Sequence, residues 1–128
     1  MNKKIVAFGA LLGMMAIIFG AFGAHALKKY LSLEQLATFE TGVKYQMYHA
    51  LFLLFVSVID FLTEKTKKTI LNLTLIGILF FSGSLYLLAT KSISGIEFKT
   101  IGIVTPVGGG LLILAWGVLL YRSIYKKA

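Results

Sequence analysis

Residues 20–29 read Gly20-Ala21-Phe22-Gly23-Ala24-His25-Ala26-Leu27-Lys28-Lys29, and the fold turns on whether the apolar run that ends here is kept. The triplet Ala24-His25-Ala26 has the small-x-small form of a leader-peptidase site. A leader has an apolar core of about 7–15 residues. The run from Ile5 to Ala24 is longer, holds no charged residue, and is followed by further apolar runs. Twenty helical residues rise about 30 Å, the thickness of a hydrocarbon core. The run also carries a stripe of small residues, Gly9, Gly13, Ala16, Gly20 and Ala24, on one helical face. Such stripes let transmembrane helices approach closely, and a discarded leader has no use for one. The reading is a retained first membrane helix.

Composition points the same way. The chain has 128 residues, 58% hydrophobic and only 14% charged, with a mean hydropathy of +0.86. A soluble domain carries about 25% charged residues, so this chain has too little polar surface to cover itself. It has no cysteine, which excludes disulfides, thiolate metal sites and cysteine nucleophiles. The net charge is +8, but the lysines sit at the ends of apolar runs: Lys3-Lys4, Lys28-Lys29, Lys65 to Lys68, Lys126-Lys127. That placement fits a lipid bilayer with anionic headgroups and not a nucleic acid.

The expected fold is therefore an all-α integral membrane protein, a single-domain four-transmembrane-helix bundle with spans at about 5–26, 45–62, 69–90 and 101–122. Pro106 falls in the first turns of the fourth span, where a missing N–H costs little. Ser32-Leu33-Glu34-Gln35 has the form of a capping box, and Leu33, Leu36, Phe39 and Val43 recur at helical spacing. These residues predict a short amphipathic outer interfacial helix between spans one and two, turning into span two around Gly42. Eight lysines and arginines lie on the side of the termini and five on the other, which places both termini in the cytoplasm of a multi-pass cell-membrane protein.

Polar side chains inside a bilayer are costly and need a reason. Gln46, His49, Ser57 and Asp60 lie on one face of span two, and Ser82 and Tyr86 on one face of span three. The topology gathers His25, Tyr45, Gln46, His49, Ser82, Ser84, Tyr86 and Thr105 into one outer polar cluster, a ligand site or a hydrogen-bond network. Asp60 belongs to the cytoplasmic side, with a juxtamembrane lysine or Arg122 as its expected partner.

The segments Gly20 to Leu27, Tyr45 to Leu51, Phe81 to Tyr86 and Thr105 to Gly109 resemble the signature segments of the domain of unknown function 423 family, also called the transmembrane protein 256 family. The resemblance spans nearly the whole chain and departs only at Val107, where isoleucine is common. It implies a small integral membrane protein of about this length and brings no reaction with it.

Three functional classes stay open. The first is a non-enzymatic structural or partner-binding membrane component. The second is a subunit of an oligomeric small transporter or channel using His49 and Asp60. The third is a haem- or metal-binding redox protein built on His25 and His49 at similar depth. Two histidines without further ligands make a poor metal site, so no cofactor is expected. Ser82-Gly83-Ser84 lacks a fixed acid–base partner for a nucleophile. Gly108, Gly109 and Gly110 lack the strand and lysine of a phosphate loop, and are expected to pack on the span-one stripe of Gly9, Gly13, Ala16 and Gly20. Tyr45, Tyr48, Trp116, Tyr121 and Tyr125 read as interfacial aromatic belts. A homo-oligomer or a membrane-protein partner is compatible with all of this.

Overall fold

The computed structural model describes residues 2–90 and 101–125. Lys91, Lys99, Lys126 and Lys127, counted above for orientation, lie outside them. The described residues form four helices and no strand.

Helix α1 covers Lys3–Leu27, with α-helix over Lys3–Ile17, a π-helical stretch Ile18–Gly23 and a final α turn Ala24–Leu27. Asn2 caps its start, the side-chain oxygen accepting from the Ile5 N–H at 3.2 Å. Helix α2 covers Leu33–Val58. Its start is the expected capping box: the Gln35 N–H donates to Ser32 Oγ at 3.1 Å, and the Ser32 N–H donates to Gln35 Oε1 at 3.0 Å. Helix α3 covers Glu64–Ala89 and is capped by Thr63. Helix α4 covers Ile101–Ile124. Pro106 is the sixth residue of α4, in its second turn. Its missing N–H leaves the Gly102 carbonyl without the usual partner four residues on.

The separate interfacial helix is a correction. Residues 33–58 form one unbroken helix through Gly42. The glycine serves approach, not a bend. A Cβ there would lie 2.7 Å from Tyr86 Cε1 and 3.3 Å from the Ser82 carbonyl oxygen. The missing side chain lets α3 close against α2.

The helices pack in chain order, α1 on α2, α2 on α3, and α3 on α4. The small-residue stripe of α1 faces α2. A Cβ on Gly9 would lie 3.0 Å from the Ala50 carbonyl oxygen, one on Gly13 3.6 Å from the Ala50 Cβ, and one on Gly20 3.1 Å from Val43 Cγ1. Ala16 is buried on the same helix. The glycines of α4 do not meet this stripe, which corrects the expected pairing. A Cβ on Gly108 would collide with the Phe81 backbone nitrogen and lie 2.8 Å from the Gly77 carbonyl oxygen. A Cβ on Gly109 would lie 3.6 Å from Phe81 Cδ1, and one on Gly110 would meet open space. Helix α3 thus supplies the small residue, Gly77, and α4 closes on it.

The apolar core lies toward the end that holds the N-terminus and the α2–α3 turn. Ile5, Phe52, Leu53, Val56, Ile70 and Ala115 are buried there, drawn from all four helices. Ile59 and Leu62 anchor the turn itself. Three helices are long and apolar enough by themselves to cross a membrane: Lys3–Leu27, Glu64–Ala89 and Gly102–Ile124. Helix α2 is long enough, but the exposed Glu34, Glu40 and Lys44 and the buried Gln46 and His49 lower its mean hydropathy.

Adding one methyl group to a closed interface costs about 1–3 kcal/mol. Gly108→Ala is expected to lower stability by that amount, and Gly110→Ala to leave it unchanged, in thermal unfolding in mild detergent. Equal effects at the two positions would contradict this packing.

Candidate functional site

Gln46 is 4% exposed and joins three helices. Its Nε2 donates to the Leu12 carbonyl of α1 at 2.9 Å, and its Oε1 accepts from the Tyr86 hydroxyl of α3 at 2.6 Å. The Tyr86 ring is held by Phe19 at 5.4 Å between centroids and by Phe39 at 5.1 Å. Phe19 comes from the π-helical stretch of α1, and π stretches inside α-helices re-aim side chains locally. One turn before Tyr86, Ser82 Oγ donates to the Gly42 carbonyl at 2.7 Å, across the interface that Gly42 opens.

His49 sits one turn further along α2. Trp116 Nε1–H donates to His49 Nε2 at 3.1 Å. An indole nitrogen is a donor only, so Nε2 carries no proton. The proton is on Nδ1, which donates to the Tyr45 carbonyl at 2.7 Å. Both ring nitrogens are engaged, and the imidazole is neutral. Trp116 stacks on Phe52 with centroids 4.1 Å apart. Beside this pair a cleft of about 430 Å³ opens between α2, α3 and α4, lined by Tyr45, His49, Phe81, Leu112 and Trp116 among others. It is apolar, and the ring nitrogens that border it are already bonded.

The single outer cluster is therefore three separate sets. Ser84 and Thr105 form the third, 2.5 Å apart between α3 and α4. Ser84 spends its proton on the Phe81 carbonyl, so Thr105 donates to Ser84. Neither Ser82 nor Ser84 faces a base, and both hydroxyl protons go to carbonyls. The Tyr45 hydroxyl joins no polar network among the described residues, and its ring packs on Tyr48 and Phe81.

His25 is exposed at the far end of α1. Gly13 of α1 lies against Ala50, next to His49, so the two histidines are offset by about twelve residues, or about 18 Å along the axis. The expected histidine pair at similar depth is not formed. Among the described residues no group of three or more His, Asp or Glu side chains comes together. Asp60 is exposed in the turn after α2 and makes no ion pair among the described residues. The expected pairing with a lysine or Arg122 is not present there.

The lysine near that turn has another task. Lys67 is 3% exposed, and its Nζ donates to the Ser57 carbonyl at 3.0 Å, with Glu64 at 4.0 Å. The Asn2 N–H donates to the same carbonyl at 3.2 Å, and Asn2 Nδ2 donates to Glu64 at 2.7 Å. The last carbonyls of a helix lack intrahelical partners and carry its negative pole. Lys67 and Asn2 satisfy one such carbonyl at the end of α2. Lys67 is thus spent inside the bundle.

Sequence reasoning missed Lys67, Asn2 and Trp116. Trp116 had a legible signal: it lies eight residues before the end of α4, too deep for an interfacial belt. Lys67 and Asn2 had none, because their partners are distant backbone atoms.

Trp116 is the only tryptophan, so intrinsic fluorescence reads this contact alone. His49→Phe removes the acceptor of its N–H and is expected to shift the emission to the blue. Asp60→Asn should leave the spectrum unchanged. An unshifted spectrum in the His49 variant would mean that the bond is not made.

The model of the family described as protein of unknown function (DUF423) matches residues 19–109. That stretch contains Gln46, His49, Ser82, Ser84, Tyr86 and Thr105 and stops before Trp116. A UPF0382 membrane protein of Staphylococcus saprophyticus is 44% identical over 91% of this chain and 93% of its own. A UPF0382 membrane protein of Haemophilus influenzae is 36% identical over 100% of this chain and 99% of its own. The UPF0382 membrane protein YwdK of Bacillus subtilis is 36% identical over 95% and 97%. No solved structure matches the chain. With a match over most of its length and relatives of equal extent, the chain belongs to the DUF423 family of helical membrane proteins.

Proposed function

We infer that the chain is a non-enzymatic, four-span membrane component whose inward polar groups fasten its helices together. The observation that carries this reading is the use of those groups. Gln46, His49, Ser82 and Ser84 are each bonded within the bundle, mostly to another helix. A transport or catalytic site keeps some polar atoms free for its substrate. Here they are spent on Tyr86, Trp116, Thr105 and backbone carbonyls, and among the described residues only the Thr74 hydroxyl is buried without a partner.

The four-span reading rests on the outer face of α2. Tyr48, Leu51, Phe55 and Val58 follow steps of three, four and three and are each more than half exposed. That stripe suits lipid or another membrane chain. The lower hydropathy of the helix comes from the charged residues of its first half and from the inward-pointing Gln46 and His49. The first turns of α2, with Glu34, Glu40 and Lys44 exposed, project toward the outer surface in this reading. Both termini then lie in the cytoplasm, on the side with the larger share of basic residues.

The chain has no cysteine, so single cysteines report topology cleanly. With a membrane-impermeant maleimide on intact cells, Leu33→Cys is expected to label and Lys68→Cys to label only after permeabilisation. Labelling of both from one side would mean that α2 does not cross.

Function is tested in proteoliposomes. His49→Ala leaves the Trp116 N–H without its acceptor, a loss of about 1–3 kcal/mol. The structural reading expects that variant to melt earlier, Asp60→Asn to melt unchanged, and neither to remove an ion flux. A flux abolished by both variants with their melting intact would replace this reading by the transporter.

A further inference from the structure

We propose that the cleft between the first turns of α3 and the last turns of α4 binds the phosphate of an anionic lipid headgroup. The cleft is about 410 Å³ and is lined by Thr63, Lys65, Thr66, Thr69, Val118 and Arg122. Two cations from two helices face one concave space. Lys65 brings a compact ammonium and Arg122 a planar fork that matches phosphate oxygens. Around them stand three threonine hydroxyls at the start of α3, the helix end that favours anions.

Glu64, the carboxylate next to Lys65 in sequence, is engaged elsewhere. Glu64 accepts from Asn2 Nδ2 at 2.7 Å and lies 4.0 Å from Lys67 Nζ, and neither Asn2 nor Lys67 lines the cleft. Thr66 is 6% exposed. Its hydroxyl accepts from Thr63 at 3.0 Å, which leaves its own proton for a further acceptor. Thr63 and Thr69 are different: their hydroxyls already donate, to Thr66 Oγ1 at 3.0 Å and to the Lys65 carbonyl at 3.1 Å, so they offer shape only.

The opposite wall is apolar. Val118 lies on it, and Leu114, one turn away on α4, is 55% exposed and continues the surface toward the bundle middle. A phosphate at the cations and an acyl chain along Val118 and Leu114 match the two halves of a phospholipid. A soluble phosphate uses only the first half. The inference rests on the four-span reading for one point: that this end of the bundle lies at headgroup depth.

The test uses the full-length protein in neutral detergent, mixed with phosphatidylcholine containing a minor share of phosphatidylglycerol. Native mass spectrometry then reads the bound lipid. Each basic residue near a membrane surface is worth about 1 kcal/mol, or about fivefold, so the pair is worth about 25-fold. The wild type is expected to retain one phosphatidylglycerol, and Lys65→Gln with Arg122→Gln to lose it by about that factor. Lys28→Gln with Lys29→Gln removes equal charge at the other end and should retain it.

Equal retention in the two double variants, or equal loss, would overturn the site. Far-UV circular dichroism of each variant checks that the helices persist. A second arm adds inorganic phosphate in place of the anionic lipid. A melting temperature raised by phosphate, dependent on Lys65 and Arg122, with no lipid retained, would overturn the lipid source and leave a phosphate site. Cysteine labelling fails independently of both arms, because micelle binding does not depend on how many helices cross a bilayer.

Discussion

Gln46 is the side chain on which the arrangement of the first three helices depends. An amide in a hydrocarbon interior has two ends to satisfy, and an unsatisfied polar group there costs several kcal/mol. The Leu12 carbonyl takes one end and the Tyr86 hydroxyl the other. Each such bond contributes only about 1 kcal/mol on average between membrane helices. The specificity comes from the cost of every alternative: rotating α2 strands both ends of the amide, and sliding α1 or α3 by one residue strands one of them. The apolar contacts around it tolerate small slips, and the amide does not.

Close approach makes those bonds reachable. Gly42 lets the Tyr86 ring and the Ser82 backbone lie against α2, and Ser82 then bonds the Gly42 carbonyl. Gly9 and Gly20 do the same between α1 and α2, and Gly77 and Gly108 between α3 and α4. In lipid there is no hydrophobic drive to press helices together, so packing and hydrogen bonding carry association. The glycines and the polar groups are therefore one system.

The two ends of the bundle differ in kind. Toward the α1–α2 connection the helices meet through Tyr86, Phe19 and Phe39. Toward the termini they are locked by charge and backbone. Lys67, Asn2 and Glu64 surround the end of α2, and the buried ammonium offsets its desolvation against a helix carbonyl and a carboxylate. At the same end Lys65 and Arg122 border the outer cleft.

Much of this was legible in the chain itself. Run length and the near absence of charge determined the helical membrane class, because a span must be long and apolar. The spacing of Ser32 and Gln35 determined where α2 begins, because a capping box is local. The inward face of α2 was legible at Gln46 and His49, because polar groups in lipid must turn inward. What those groups bond was not. His49 pairs with Trp116, 67 residues away, and not with His25, because helix register sets depth and periodicity alone does not. The role of Gly42 also needed the fold: a glycine at a bend and one at a close crossing read alike until the neighbouring helix is in place. Tertiary structure likewise turned Lys67 inward and left Asp60 outside, since the carbonyl that holds Lys67 belongs to the end of another helix.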